Sequence, residues 1–284
     1  MTITPARFQR KNAGSSHSYW LTPAPTADNP NPEARKLPGV TTVIGLLDKP
    51  ALVAWAAQQS ADYAIEHWDE LANKPIGERQ RLIERARFTS NKKATTKGQT
   101  VHAMAEALQN GKPVETTDAV MLADIQALAR LLDQWQIQPV ATEVPLCNTT
   151  DLWAGTCDVI ADIPKLGRVM LDFKTGKAIY DEIALQLAAY ARANLRLEGD
   201  GAAATEQPPF DGINTTVGYG IHVRDGLAQI QPVRIDDDVY QSFLSLVDLW
   251  WHWAEPTAWA NRGKDIYNSP IGDPLIYETT EAIQ

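Results

Sequence analysis

Cysteine is scarce in this chain: Cys147 and Cys157 are its only two. Two thiols cannot furnish a four-cysteine zinc or iron–sulfur site, and they are too few for the disulfide framework of a small secreted domain. Positive charge is short as well, with 26 Lys and Arg against 35 Asp and Glu and a formal net charge of −9. That balance argues against nonspecific coating of nucleic acid through a broad basic surface, because phosphate affinity comes from clustered Lys and Arg. It leaves room for a local basic groove and for carboxylates neutralised by a cation. Long apolar runs are missing too, and residues 1–8 carry no stretch of the signal-peptide kind, so the expectation is a cytoplasmic protein with no membrane partner.

What is present reads as an α/β chain of 284 residues, long enough for one large domain with helical additions. Residues 21–38 are rich in Pro, Ala and Asn without periodicity, which predicts a surface arm. Order resumes at Gly39-Val40-Thr41-Thr42-Val43-Ile44. Pro50 to Leu71 reads as a helix with Pro in its first turn, and Gly77 to Phe88 as a second helix carrying Arg79, Arg81, Arg85 and Arg87. Solvation accounts for such a basic stretch, and a DNA-facing surface is the alternative. Thr96 to Asn110 and Asp118 to Trp135 give two more helices, closed by Gly111 and by the approach to Pro139.

The pattern then changes to strands at Val140 to Cys147, Trp153 to Ile163 and Arg168 to Phe173, with Pro164-Lys165-Leu166-Gly167 as the last turn. Asp181 to Leu197 is predicted as helix, Gly199 to Asp211 as a polar loop, Val217 to Val223 with Leu227 to Ile235 as a hairpin, and Asp237 to Trp253 as a final helix.

Asp172-Phe173-Lys174 is the most informative stretch. Residues two apart in a strand share a face, so Asp172 and Lys174 point one way while Phe173 turns into the core. Asp158, on the preceding strand, adds a second carboxylate. Both aspartates lie among apolar residues, where an unpaired carboxylate is costly, so a hard divalent cation beside a lysine is the favoured reading. Strand parity adds a condition: the two carboxylates share a face only if the hairpin loop has an odd number of residues, such as Pro164 to Leu166, or a bulge.

Gly155-Thr156-Cys157-Asp158, then Leu171-Asp172-Phe173-Lys174-Thr175, then Gln186-Leu187-Ala188-Ala189-Tyr190 resembles the PD-(D/E)XK nuclease superfamily, in its RecB-like branch of CRISPR-associated and phage exonucleases. The branch's upstream helical histidine is matched by His102 in Gly98-Gln99-Thr100-Val101-His102, and its first acidic motif by Glu143. The resemblance covers roughly residues 95–190. It implies a restriction-endonuclease-like core, a mixed central sheet flanked by helices, with extra N-terminal helices. In this reading residues 1–38 are an arm and Pro-rich loop, and 39–284 form one nuclease domain. That domain divides into a helical part at 39–138, a catalytic core at 139–235, and a C-terminal helix and tail at 236–284.

The resemblance further implies Mg²⁺ or Mn²⁺ held by His102, Asp158, Asp172 and the Phe173 carbonyl oxygen, with Glu143 acting through water. Lys174 would orient and deprotonate the attacking water or stabilise the transition state; the sequence does not separate these roles, and an ion pair with Asp172 is compatible with both. Gln186 and Tyr190, four apart on one helix face, would contact the scissile-strand phosphate or support Lys174. Many relatives carry four cysteines for an iron–sulfur cluster, which this chain cannot, so no cluster is expected.

The function expected is a metal-dependent DNA exonuclease in phage or bacterial recombination and repair. Its partners would be DNA with a free end and a recombination protein, in the host cytoplasm if a phage encodes it. A structure-specific or restriction-like endonuclease and a catalytically idle DNA-binding subunit remain open.

Overall fold

A computed structural model describes residues 7–13, 16–88, 116, 118–199 and 201–254. The sequence motifs meet on a seven-stranded sheet. Its strands are β4 (Gln138–Asn148), β5 (Trp153–Ile163), β6 (Gly167–Lys174), β7 (Leu195–Glu198), β8 (Thr205–Gln207), β9 (Val217–Arg224) and β10 (Leu227–Arg234), in the order β10-β9-β6-β5-β4-β7-β8. The β6–β9 pair is parallel and the other neighbours antiparallel. The chain is therefore mixed α/β with a large mixed central sheet flanked by helices. Parallel β6 and β9 need a crossover, and α6 (Glu182–Tyr190) lies in it.

Both sheet faces are covered, which is why β5 and β6 read as near-continuous apolar runs. On one face α6, α7 (Asp237–Leu249) and the short α1 (Val40–Ile44) bury Ile183, Leu187, Phe243 and Val43 against Trp153, Ile160 and Met170. On the other, α5 (Ala119–Gln134) sets Leu128 and Leu131 against Val159, Leu171, Phe173 and Ile221. Asp118 starts α5 by accepting from the Val120 and Met121 amides at 2.9 and 3.1 Å. A second sheet, β1 (Phe8–Ala13), β2 (Ser16–Leu21) and β3 (Arg35–Leu37), buries Phe8, Tyr19, Leu21 and Leu37 against Cys147, Ala154 and Leu197.

The hairpin that carries the two aspartates has the odd loop that parity requires. Ile163 pairs with Gly167 across Pro164, Lys165 and Leu166. The Leu166 amide donates to the Ile163 carbonyl at 2.9 Å, and Gly167 follows at φ 78°, a left-handed position that glycine occupies without steric cost.

Several boundaries differ from the sequence reading. The helix predicted to reach Leu197 stops at Tyr190. Arg192 then ties the turn down through the Ile235 and Thr215 carbonyls at 2.8 and 3.0 Å, and the Asn194 amide donates to Cys147, feeding the chain into β7. The predicted loop after it contains β8. The helix from Pro50 divides into α2 (Pro50–Glu66) and α3 (Trp68–Ala72) at His67, whose ring stacks on Tyr63 at 4.1 Å. Helical residues 76–88 form α4, and there Arg79 caps α3 by donating to the Lys74 and Ala72 carbonyls. The terminal helix ends in a π-helical turn, Trp250–Ala254. The helix predicted at 96–110 lies outside the described residues. Among the described residues no helix is long and apolar enough to cross a membrane.

Candidate active site

The register of the central strands sets Glu143, Asp158 and Asp172 in one row. On β4 and β5, Thr142 pairs with Val159 and Val144 with Cys157, so Glu143 falls opposite Asp158. On β5 and β6 the ladder runs from Ile163–Gly167 to Val159–Leu171, and one step further faces Asp158 with Asp172. There the backbone ladder ends. The Asp158 carboxylate takes over by accepting from the Phe173 amide at 3.0 Å.

Both strands are irregular at this row. Glu143 adopts φ 50°, an uncommon conformation for a side-chain-bearing residue and of the kind that concentrates at functional sites. The inward phase of β5 changes across Asp158: Trp153 and Cys157 join the cluster under α6, as does Ile160 beyond it, while Val159, Ala161 and Ile163 face α5. A strict alternation could not place these residues.

Asp172 is almost fully buried, and its Oδ2 forms an ion pair with the Lys174 ammonium, whose side chain is one-third exposed. Phe173 between them is buried against α5. The expected sharing of one face by Asp172 and Lys174 follows directly from the pleat. Buried Cys157 sits among the three carboxylates, and desolvation first, then Asp158, Asp172 and Glu143, push its thiol well above the ordinary range. It is therefore not a nucleophile, and Cys147 is likewise buried and free, its thiol pushed up by burial.

From α6, Gln186 and Tyr190 reach the same place. They line a cleft of about 520 Å³ with Glu143, Asp158, Gly155 and Thr156. Tyr190 is 3% exposed, and its ring lies on β5 where Gly155 has no side chain: a Cβ there would come within 2.6 Å of Tyr190 Cε1 and 2.9 Å of its hydroxyl. Burial is the main reason, with neighbouring Tyr19, Cys157, Asp158 and Asp172 adding to it, that the Tyr190 hydroxyl is held neutral far above its ordinary pKa. The hydroxyl can give or take a hydrogen bond but does not ionise at working pH.

The sequence reading missed the opposite wall. His17, Ser18 and Tyr19 of β2 line the cleft, and the Tyr19 hydroxyl bonds Thr156 Oγ1 at 2.8 Å. Between them Pro38 and Gly39 take up the β5 edge that β6 has vacated, with the Ala154 amide donating to Pro38 at 3.0 Å. The available signal for β2 was the short aromatic-rich run Tyr19-Trp20-Leu21, of which Tyr19 and Leu21 are buried while His17 stays exposed. His102, on the predicted helix that precedes Gly111, lies outside the described residues.

Among the described residues no three His, Cys, Asp or Glu side chains converge closely enough to hold a metal by themselves. Asp158 and Asp172 supply oxygen donors of the type Mg²⁺ and Mn²⁺ prefer, and such ions commonly use one or two carboxylates with water and phosphate completing the shell. The donor set therefore fits a hard divalent cation. No family model matches the sequence, and no curated protein matches it.

Proposed function

We propose that this protein is a divalent-metal-dependent nuclease with a restriction-endonuclease-like core, acting as a DNA exonuclease. The observation that carries the reading is the placement of Asp158 opposite Asp172, at the point where β5 and β6 part, with Lys174 ion-paired to Asp172. A nearly buried aspartate paired with a lysine and set opposite a second carboxylate is costly for a merely structural protein and useful for phosphodiester hydrolysis.

Asp158 and Asp172 would hold Mg²⁺ or Mn²⁺, which supplies charge neutralisation for the attacked phosphate and activation of water. The partly exposed Lys174 ammonium orients that water and offsets negative charge as its oxygen bonds to phosphorus and the bond to the leaving sugar oxygen breaks. Gln186 and the un-ionised Tyr190 hydroxyl bind the strand from the α6 side, and Glu143 holds water at the outer end of the row. A cytoplasmic role in recombination or repair, with a recombination protein as partner, belongs to the same proposal.

The test is incubation of the purified protein with end-labelled linear DNA and with closed circular DNA, with and without Mn²⁺. Release of labelled mononucleotides from linear DNA alone, lost in Asp172→Ala, is the expected result. Cutting of the circle would make the enzyme an endonuclease. Absence of Mn²⁺-dependent cleavage of either would overturn the reading.

A further inference from the structure

Acidic groups dominate the floor of the cleft, so a polyanionic strand needs cations elsewhere to approach it. The N-terminal sheet supplies a guanidinium, with an imidazole that can donate a hydrogen bond beside it. On β1 and β2 Phe8 pairs with Leu21, Arg10 with Tyr19 and Asn12 with His17, and directly opposed residues share a face. Phe8, Tyr19 and Leu21 are the buried part of that face; His17 continues it into the cleft, which it lines, and Arg10 stands on the same face opposite Tyr19, another residue of the cleft wall.

Arg10 differs from most of the strand and loop arginines, and from Arg35 of β3, which has no ion pair among the described residues but lies over the Trp251 ring. Arg7 pairs with Glu206 at 3.9 Å, Arg168 with Asp162 at 2.8 Å and Arg192 with Asp237 at 2.7 Å. Arg10 makes no ion pair among the described residues, and its Nε is buried there with no hydrogen-bond partner. A guanidinium held half-buried next to an imidazole, with no carboxylate paired to it among the described residues, is an arrangement that an external anion would complete. Its charge also reaches its neighbours, acting on both His17 and Tyr19.

We propose that Arg10 and His17 form a phosphate clamp that holds a single nucleic-acid strand against the carboxylate row, from the wall opposite α6. The proposal rests on the nuclease reading for the identity of the strand. A cleft of about 520 Å³ is of the size that holds one small ligand, which suits a nucleotide unit of one strand.

The experiment measures binding apart from cleavage: fluorescence anisotropy of a labelled single-stranded oligonucleotide, with Ca²⁺ in place of Mn²⁺, over a range of salt. Arg10→Gln/His17→Gln should bind roughly tenfold or more weakly, and its plot of log affinity against log salt should flatten by about 0.7 for each phosphate no longer neutralised. Lys11→Gln removes a cation from the outer face of the same sheet, where Lys11 lies over Trp20, and should leave both unchanged. If the double variant does not fold, His17→Gln alone and the charge-keeping Arg10→Lys carry the comparison. Equal binding by wild type and variants, equal affinity for duplex and single strand, or no single-strand binding by wild type would each overturn the clamp, whatever the Mn²⁺ cleavage assay shows. A protein that binds through Arg10 and His17 but never cleaves would keep the clamp and overturn the nuclease reading.

Discussion

Asp158 accepts a hydrogen bond from the backbone amide of Phe173, 3.0 Å away, and so joins the two strands at the step where their ladder ends. One carboxylate oxygen is thereby committed to the backbone, and the same side chain lines the cleft.

Replacing Asp158 therefore separates structure from metal binding. Asp158→Asn keeps an acceptor for Phe173, whereas Asp158→Ala removes that hydrogen bond at a cost of about 1–3 kcal/mol. In the absence of metal Asp158→Ala should melt lower than Asp158→Asn. Mn²⁺ should raise the Tm of wild type by mass action and do much less for either variant. Equal Mn²⁺ increments in all three proteins would place the ion elsewhere.

Lys174 has two jobs that respond differently to substitution. Lys174→Ala strips the partner from a nearly buried carboxylate and should cost about 2–3 kcal/mol, below the value for a fully buried pair because the lysine is partly exposed. Mn²⁺ titration should still show binding, while single-turnover cleavage should fall by about 10²- to 10³-fold. Cleavage near the wild-type rate would remove Lys174 from the chemistry.

Gly155 and Tyr190 should behave as one unit. Gly155→Ala forces the Tyr190 ring from β5 and should destabilise by about 1–3 kcal/mol. Combined with Tyr190→Ala, which vacates the space, the two costs should be clearly less than additive in urea unfolding. Tyr190→Phe keeps the ring and removes only the hydroxyl, so it should lower cleavage more than stability. Strict additivity in the first cycle would show that the close approach is relieved by some other movement.

His17 gives a signed pH dependence. Burial first and the Arg10 charge second hold its pKa below the ordinary 6.5. The unfolded chain therefore takes up the proton first as pH falls, so the contribution of neutral His17 is fully present above pH 6.5 and is lost as pH drops through its folded-state value. Urea midpoints should fall more steeply on acidification below pH 6.5 for wild type than for His17→Gln. Parallel profiles would count against this placement of His17 beside Arg10.

Much of the site was legible because its elements are local. The alternation around Asp172-Phe173-Lys174, the odd loop at Pro164 to Leu166 and the four-residue spacing of Gln186 and Tyr190 each follow from the geometry of one strand, one turn or one helix. Glu143 was legible as a strand residue but not as one at φ 50°. The end of α6 at Tyr190 was hidden for a similar reason. Ala191 to Leu197 has helical composition, and the contacts that overrule it, from Arg192 to Ile235 and from Asn194 to Cys147, span more than forty residues.

By itself the sequence determined that this is an α/β chain with two aspartates and a lysine on neighbouring strands, because side-chain direction in a strand is set by the pleat and needs no distant partner. Only the tertiary structure decided that β5 and β6 separate at those aspartates, that Tyr190 lies on Gly155, and that the N-terminal sheet supplies the second wall of the cleft through Tyr19 and Thr156. Each of these joins segments that are separated along the chain. Its geometry is set by how the layers pack, which no local pattern encodes.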